Sequence, residues 1–190
     1  MEAKYLTAAQ ISRLRSVMSD GDWLLLWVMM ETGLRVGDAV SIRRASVRAD
    51  GIHYTAQKTK KKGVAPISTA LRAALLATGE KGYVFKGRKE GTHLSRQAAW
   101  KRIKTAAARC GLDADGVSPH AFRKVFAVET FREKGMQATR EALQHTNRDT
   151  TEIYAFADWN TGDKANLPLT RADLKTIVGM VLKALPKEKP

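Results

Sequence analysis

Residues 118–124 read SPHAFRK, a serine and a proline that open a helix, followed by a histidine and an arginine three positions apart. Serine caps the first unpaired N–H groups, and proline suits the first helical position because its φ is already fixed. Residues three apart share a helix face, so His120 and Arg123 leave the first turn in the same direction. A helix N-terminus favours an anion through its N–H groups and dipole, and an imidazole beside a guanidinium makes that end a phosphate site. Taken alone, an HxxR pair is more often a surface ion pair or a satisfied histidine, so the surrounding elements decide its meaning.

Upstream, Thr7 and Gln10 have the spacing of a capping box and start an amphipathic helix that runs to about Met18. Asp22 is placed to cap a second, strongly apolar helix, which Gly33 breaks; a further helical pattern runs from near Val36 towards Arg43 and sets Arg35 at a helix–helix junction. Alternation replaces helical spacing between residues 47 and 67. Asp50-Gly51 is a two-residue hairpin signal, KTKKKG (58–63) a lysine-rich loop, and VAPIS (64–68) a short strand with Pro66 at an edge or end. Ser68 begins one helix, Ser95 caps another that ends at Cys110-Gly111, and the SPHAFRK helix stops at Gly135. Shorter helices follow around residues 139–144 and 150–156, with a last one near 170–185. The expected fold class is α+β, mainly α-helical, with a small antiparallel sheet.

The 190 residues are 44% hydrophobic, enough to bury a core in one domain, or in one domain with an appendage. Thirty-three Lys and Arg against nineteen Asp and Glu leave a charge of +14, which suits a polyanionic partner, nucleic acid first. Cys110 is the single cysteine, so an internal disulfide is excluded and a reducing, cytoplasmic location is expected. The longest apolar run, WLLLWVMM at 23–30, is too short to span a bilayer, and no membrane partner is expected.

Four stretches occur in a particular order: TGLRVGDAV (32–40), the KTKKKGVAPI hairpin, SPHAFRK, and LQHTNRDTTEIY (143–154). Together they resemble the catalytic domain of the tyrosine recombinases, the phage integrase family. Arg35 and Asp38 match a first box of the form TGLRxxE/D, Lys58 lies eight residues before the strand proline Pro66, His120 and Arg123 meet HxxR, and His145 stands nine residues before Tyr154. Gln144 replaces the usual glycine before that histidine, and Lys124 a common His or Arg after the second arginine.

The resemblance implies a catalytic domain over residues 1–160 and a C-terminal tail and helix over 161–190 that docks on a neighbouring protomer or packs in cis. It also implies that the family's N-terminal core-binding domain is absent from this chain, a truncated piece or a stand-alone module. The implied reaction is metal-independent cleavage and rejoining of DNA strands through a 3′-phosphotyrosyl link. Tyr154 would be the nucleophile, Arg35, Arg123 and His145 the oxyanion partners, His120 a proton-transfer or orienting group, and Lys58 the general acid, with Lys60 as the alternative. Asp38 would hold the arginine side of the site. Lys60, Lys61, Lys62 and Lys124 would contact DNA. No cofactor is implied, and the sequence has neither a phosphate-binding glycine loop nor ligands at metal spacing. Double-stranded DNA is the expected partner, with a tetramer on DNA for the full-length protein. A type IB topoisomerase-like enzyme and a non-catalytic DNA-binding protein on the same scaffold are the alternatives. His53 and His93 read as incidental, and Trp23, Trp27 and Trp100 as packing residues.

Overall fold

The computed structural model describes residues 5–78, 81–112 and 116–143. His145, Tyr154 and the helices expected near 150–156 and 170–185 lie outside them. Helices α1 (Ala8–Val17), α2 (Asp20–Thr32) and α3 (Val36–Val40) lead into strands β1 (Val47–Arg48), β2 (Gly51–Thr55) and β3 (Lys62–Ala65); α4 (Thr69–Leu76), α5 (Arg96–Arg109) and α6 (Pro119–Leu143) follow.

A helix that is apolar all round has to sit in the middle of the fold. α2 does: every residue from Trp23 to Met30 is buried, and α3, α4, α5 and α6 pack around it. No helix among the described residues is long and apolar enough to cross a membrane. Ser19, not Asp22, caps α2, its hydroxyl accepting from the Asp22 N–H at 3.2 Å, while Asp22 pairs with Arg102 of α5 at 2.8 Å. The capping box at Thr7 forms as expected, and Ser68 and Ser95 cap α4 and α5.

Three further boundaries differ from the sequence reading. α3 stops at Val40 because the next residues turn to a distant loop, with Val84 donating to the Ile42 carbonyl and Arg44 to that of Gly82, each at 2.9 Å. The β1–β2 turn is Ala49-Asp50, since Arg48 pairs with Gly51. Gly51 is needed one place later, where a Cβ would lie 2.4 Å from the Ala65 carbonyl oxygen of β3. The third strand begins at Lys62, inside the lysine cluster, and ends at Ala65. The sheet is antiparallel in the order β1-β2-β3.

Gly135 breaks the helical geometry within α6, and the chain then doubles back. Leu143 shows how sharply: its carbonyl lies 2.8 Å from Arg123 Nη2, whereas twenty residues of straight helix would separate them by about 30 Å. The returning Leu143 side chain buries with Ala127 and Phe126 against Gly33.

Gly33 sits where α2, α3 and α6 meet, with φ at +64°. A methyl group there would fall 2.3 Å from the Phe126 ring. Gly33→Ala combines left-handed strain with overpacking, and denaturant unfolding should show a loss of about 2 kcal/mol or more.

Candidate active site

Residues Thr32 to Arg35 turn the chain from α2 into α3. The Thr32 hydroxyl donates to the Val28 carbonyl at 2.6 Å and accepts from the Leu34 N–H at 3.2 Å, Gly33 closes α2 through the Met29 carbonyl, and Leu34 is buried. With its neighbours fixed, Arg35 becomes the residue before α3 and sends its side chain into a cleft of about 690 Å³.

Lys58 from the β2–β3 loop, His120 and Arg123 from α6, and Arg35 all line this cleft, together with Asp38, Gln57, Arg96, Trp100 and Ser118. Among the described residues, Arg35, Lys58, Arg96 and Arg123 bring four positive side chains to this space, and Asp38 is the single carboxylate on its wall. Such a concentration of fixed cations in a concave site creates a positive potential that attracts anions.

Arg123 is only 5% exposed, and its guanidinium donates to the Gly33 carbonyl and, at 2.8 Å, to that of Leu143. A guanidinium carries five donors in one rigid plane, so it can hold backbone carbonyls and still line a cleft. Asp38, at 4% exposure, accepts from the Gln57 N–H at 2.9 Å. That bond runs to the lysine side of the cleft, where the sequence reading expected Asp38 to serve the arginine side.

Burial first, and then the charges of Arg123, Lys124 and Arg35, hold the His120 imidazole below its ordinary range. At neutral pH it is therefore an uncharged acceptor. Burial also pushes the Tyr54 phenol up, outweighing the opposite pull of Arg123 and Arg35, so it stays protonated.

The hairpin lysines separate into two groups. Lys58 faces the cleft, while Lys60, Lys61 and Lys62 are exposed outside it, Lys62 lining a second groove with Tyr54 and Val64. Lys124, expected to face DNA, is instead buried at 6% exposure. The residue after Arg123 points about 100° further round the helix, away from its predecessor's face.

Trp23 and Trp27 pack in the core as expected, but Trp100 is 49% exposed at the cleft. Ala99, Ile103, Ala106 and Ala107 form the buried stripe of α5, and Arg96, Trp100 and Lys104 run along its edge at four-residue spacing. That spacing, downstream of the Ser95 cap, was the available signal for Arg96 and Trp100. Lys104 places its Nζ 5.6 Å from the Trp100 ring centroid. His53 pairs with Asp50 and His93 packs edge-on to Tyr83, both away from the cleft.

The described residues thus form a mainly helical domain with a small sheet and a cleft lined by cations. The chain belongs to the Phage integrase family, which matches residues 4–160. The tyrosine recombinase XerD of Rhizobium meliloti (strain 1021) is 29% identical over 140 residues, 68% of this chain and 45% of that protein. XerC of Erythrobacter litoralis (strain HTCC2594) is 32% identical over 143 residues, 70% of this chain and 45% of the relative. The chain therefore spans about half the length of the curated relatives it matches. Among solved structures, the XerA recombinase superposes with a TM-score of 0.68 at 20% identity, covering 98% of this chain and 67% of that one. A lambda integrase dimer bound to a COC′ core site gives 0.70 at 19% identity over 86% and 51%. The catalytic domain of bacteriophage HP1 integrase gives 0.64 at 23% over 82% and 88%. These likenesses place the fold among the catalytic domains of tyrosine recombinases.

The state of His120 can be read in solution. Its NMR titration should have a midpoint below about 6.5, the ordinary imidazole value. Inorganic phosphate should raise that midpoint, because an anion in the cleft offsets the neighbouring cations. The histidine binds its proton less readily in the folded chain, so its contribution to stability is present above the ordinary imidazole range. That contribution declines as pH falls through that range.

Proposed function

We propose that this chain is the catalytic part of a site-specific DNA recombinase, which cleaves and rejoins strands through a 3′-phosphotyrosyl intermediate. The observation that carries this reading is the convergence of Arg35, Lys58, His120 and Arg123, from three separate parts of the chain, on one cleft. Family membership supports it, as do the recombinase names of the relatives.

In this mechanism the Tyr154 oxygen attacks the scissile phosphorus, the new P–O bond forms, and the bond to the 5′ oxygen breaks. A phenol ionises only near pH 10 and a phosphodiester repels an anionic nucleophile, so fixed positive charge serves both problems. Arg35 and Arg123 stabilise the non-bridging oxygens, with His145 as a further donor. Neutral His120 receives or orients the phenolic proton, and Lys58 gives a proton to the departing 5′ oxygen. Lys58 is preferred over Lys60 because it faces the cleft. Energy is conserved in the phosphotyrosyl bond, so another strand's hydroxyl can reverse the step without a cofactor.

Lys60, Lys61 and Lys62 are assigned to duplex phosphates along the rim, whereas buried Lys124 supports the wall beside Arg123. Double-stranded DNA is the substrate, and exchange between two duplexes calls for four copies of the whole protein. Residues 161–190 are assigned to contacts between those copies. The single cysteine and the DNA substrate together fit a cytoplasmic protein.

Tyr154→Phe tests the nucleophile. Wild-type chain should form a denaturant-resistant adduct with DNA and the variant none, while DNA binding stays within about twofold because only one oxygen is lost. An adduct that persists and maps to another residue would overturn the assignment. Strand exchange between duplexes, as opposed to mere relaxation of supercoils, separates a recombinase from a topoisomerase.

Binding itself should weaken steeply with salt, its logarithm falling linearly with that of the salt concentration as counterions compete for phosphates. Affinity that is equal at low and physiological salt would contradict a phosphate-dominated interface.

A further inference from the structure

We infer that Gln57 is a positioning residue that sets the place of Lys58, a role that rests on the reading of Lys58 as the general acid. The β2–β3 loop is closed at its base by two backbone bonds, Ala56 N–H to the Lys61 carbonyl at 2.9 Å and Lys60 N–H to the Ala56 carbonyl at 2.8 Å. Lys60 adopts a left-handed conformation to complete this turn. Lys58 lies beyond those bonds, in the overhanging part of the loop.

Gln57 ties the overhang to the body of the domain twice. Its backbone N–H donates to Asp38 Oδ1 at 2.9 Å, and its side-chain Nε2 donates to the Gly37 carbonyl at 3.0 Å. Both acceptors belong to α3, which begins immediately after Arg35. The hairpin is thereby registered against the same helix that aims the first arginine. Space for the glutamine amide exists because residue 37 is a glycine: a Cβ there would stand 3.0 Å from both Gln57 Oε1 and Arg96 Cδ.

Proton donation demands hydrogen-bond reach to the leaving oxygen. A loop held only at its base would let the Lys58 ammonium wander by more than that tolerance. The side-chain amide of Gln57 removes this freedom through its bond to the Gly37 carbonyl, and Asp38 acts with it by holding the main chain.

The test uses Gln57→Met, which keeps the length of the side chain and the backbone bond to Asp38 but deletes the amide. A duplex captured covalently by the wild-type chain from a random-sequence library is resynthesised with oxygen or sulfur at the scissile 5′ bridging position. An alkoxide resembles hydroxide, whose parent water has a pKa of about 15.7, whereas a thiol ionises near 8.5 and leaves without a proton. The Gln57→Met chain should cleave the oxygen substrate about tenfold to a hundredfold more slowly than wild type, and the sulfur substrate at nearly the wild-type rate. A merely structural role would slow both substrates alike, and that result would overturn the proposal, as would an unchanged rate on oxygen. Lys58→Ala provides the separate check on the underlying reading: if sulfur fails to rescue it, Lys58 is not the general acid. Capture of no duplex at all would count against strand cleavage itself. Amide hydrogen exchange reads the tie directly without substrate. The Gln57→Met change should speed exchange across residues 56–61 and leave α2 protected, and unchanged exchange in the loop would overturn the tie.

Discussion

A buried guanidinium governs this fold. Arg123 has to leave water while keeping its charge, which is costly unless every donor meets an acceptor of suitable polarity. Two of its partners are backbone carbonyls, that of Gly33 closing α2 and that of Leu143 in the returning part of α6. The C-terminus of α2 carries partial negative charge, so its dipole favours the cation held at Gly33. For Leu143 to arrive there, α6 must double back at Gly135; for Gly33 to arrive, α2 must end in a residue with no side chain between it and Phe126. The arginine is thus the joint through which the central helix, the reversed helix and the entry to α3 are fastened together.

The joint also sets the electrostatics of the cleft. Because Arg123 is immobilised by backbone, its charge cannot swing away from Arg35 when no anion is present. Burial, and then the charges of Arg123, Lys124 and Arg35, lower the basicity of His120. Asp38 offsets part of this field, and its buried carboxylate also accepts from the Gln57 N–H. Among the described residues the cleft is lined by four cations, one carboxylate and one uncharged imidazole. That combination suits a site that must stabilise an anion and also accept a proton.

Legibility in the sequence followed the range of the interactions. The caps at Thr7, Ser68 and Ser95 are local, each spanning three residues, and the sequence reading and the structure agree there. Among the described residues the order of helices and the hairpin also agree, because period and turn residues are local signals. Arg35, Lys58, His120 and Arg123 come from three separate stretches of the sequence, and the structure brings them to one cleft. Asp50-Gly51 misled by one residue because glycine serves a cross-strand approach to Ala65, a demand set by another strand. Gln57 was invisible for the same reason: its bonds reach back nineteen and twenty positions to α3. The carbonyl partners of Arg123, ninety residues upstream and twenty downstream, could not be read from any window of sequence. Trp100 looked like packing because a tryptophan usually is, and only the placement of α5 beside the cleft exposes it.

On the proposed mechanism, two different tolerances explain why the arginines and the lysine are mounted so differently. Charge–charge attraction falls off only as the inverse of distance, so a guanidinium that shifts by a fraction of an ångström still stabilises a phosphoryl oxygen. Proton transfer needs heavy atoms within about 3.2 Å, or a single bridging water, so the same shift in a general acid interrupts the reaction. The arginines come from the helical body, where burial fixes them as a by-product of folding. Lys58 comes from a three-stranded sheet whose loop overhangs its last pair of backbone bonds. A group with the narrower tolerance is thus carried on the looser element, and only a connection outside the sheet can reconcile the two. The bonds from Gln57 to Asp38 and Gly37 are that connection. They end on the helix that Arg35 begins, so the lysine and the first arginine share a single frame of reference and any motion of α3 moves both together.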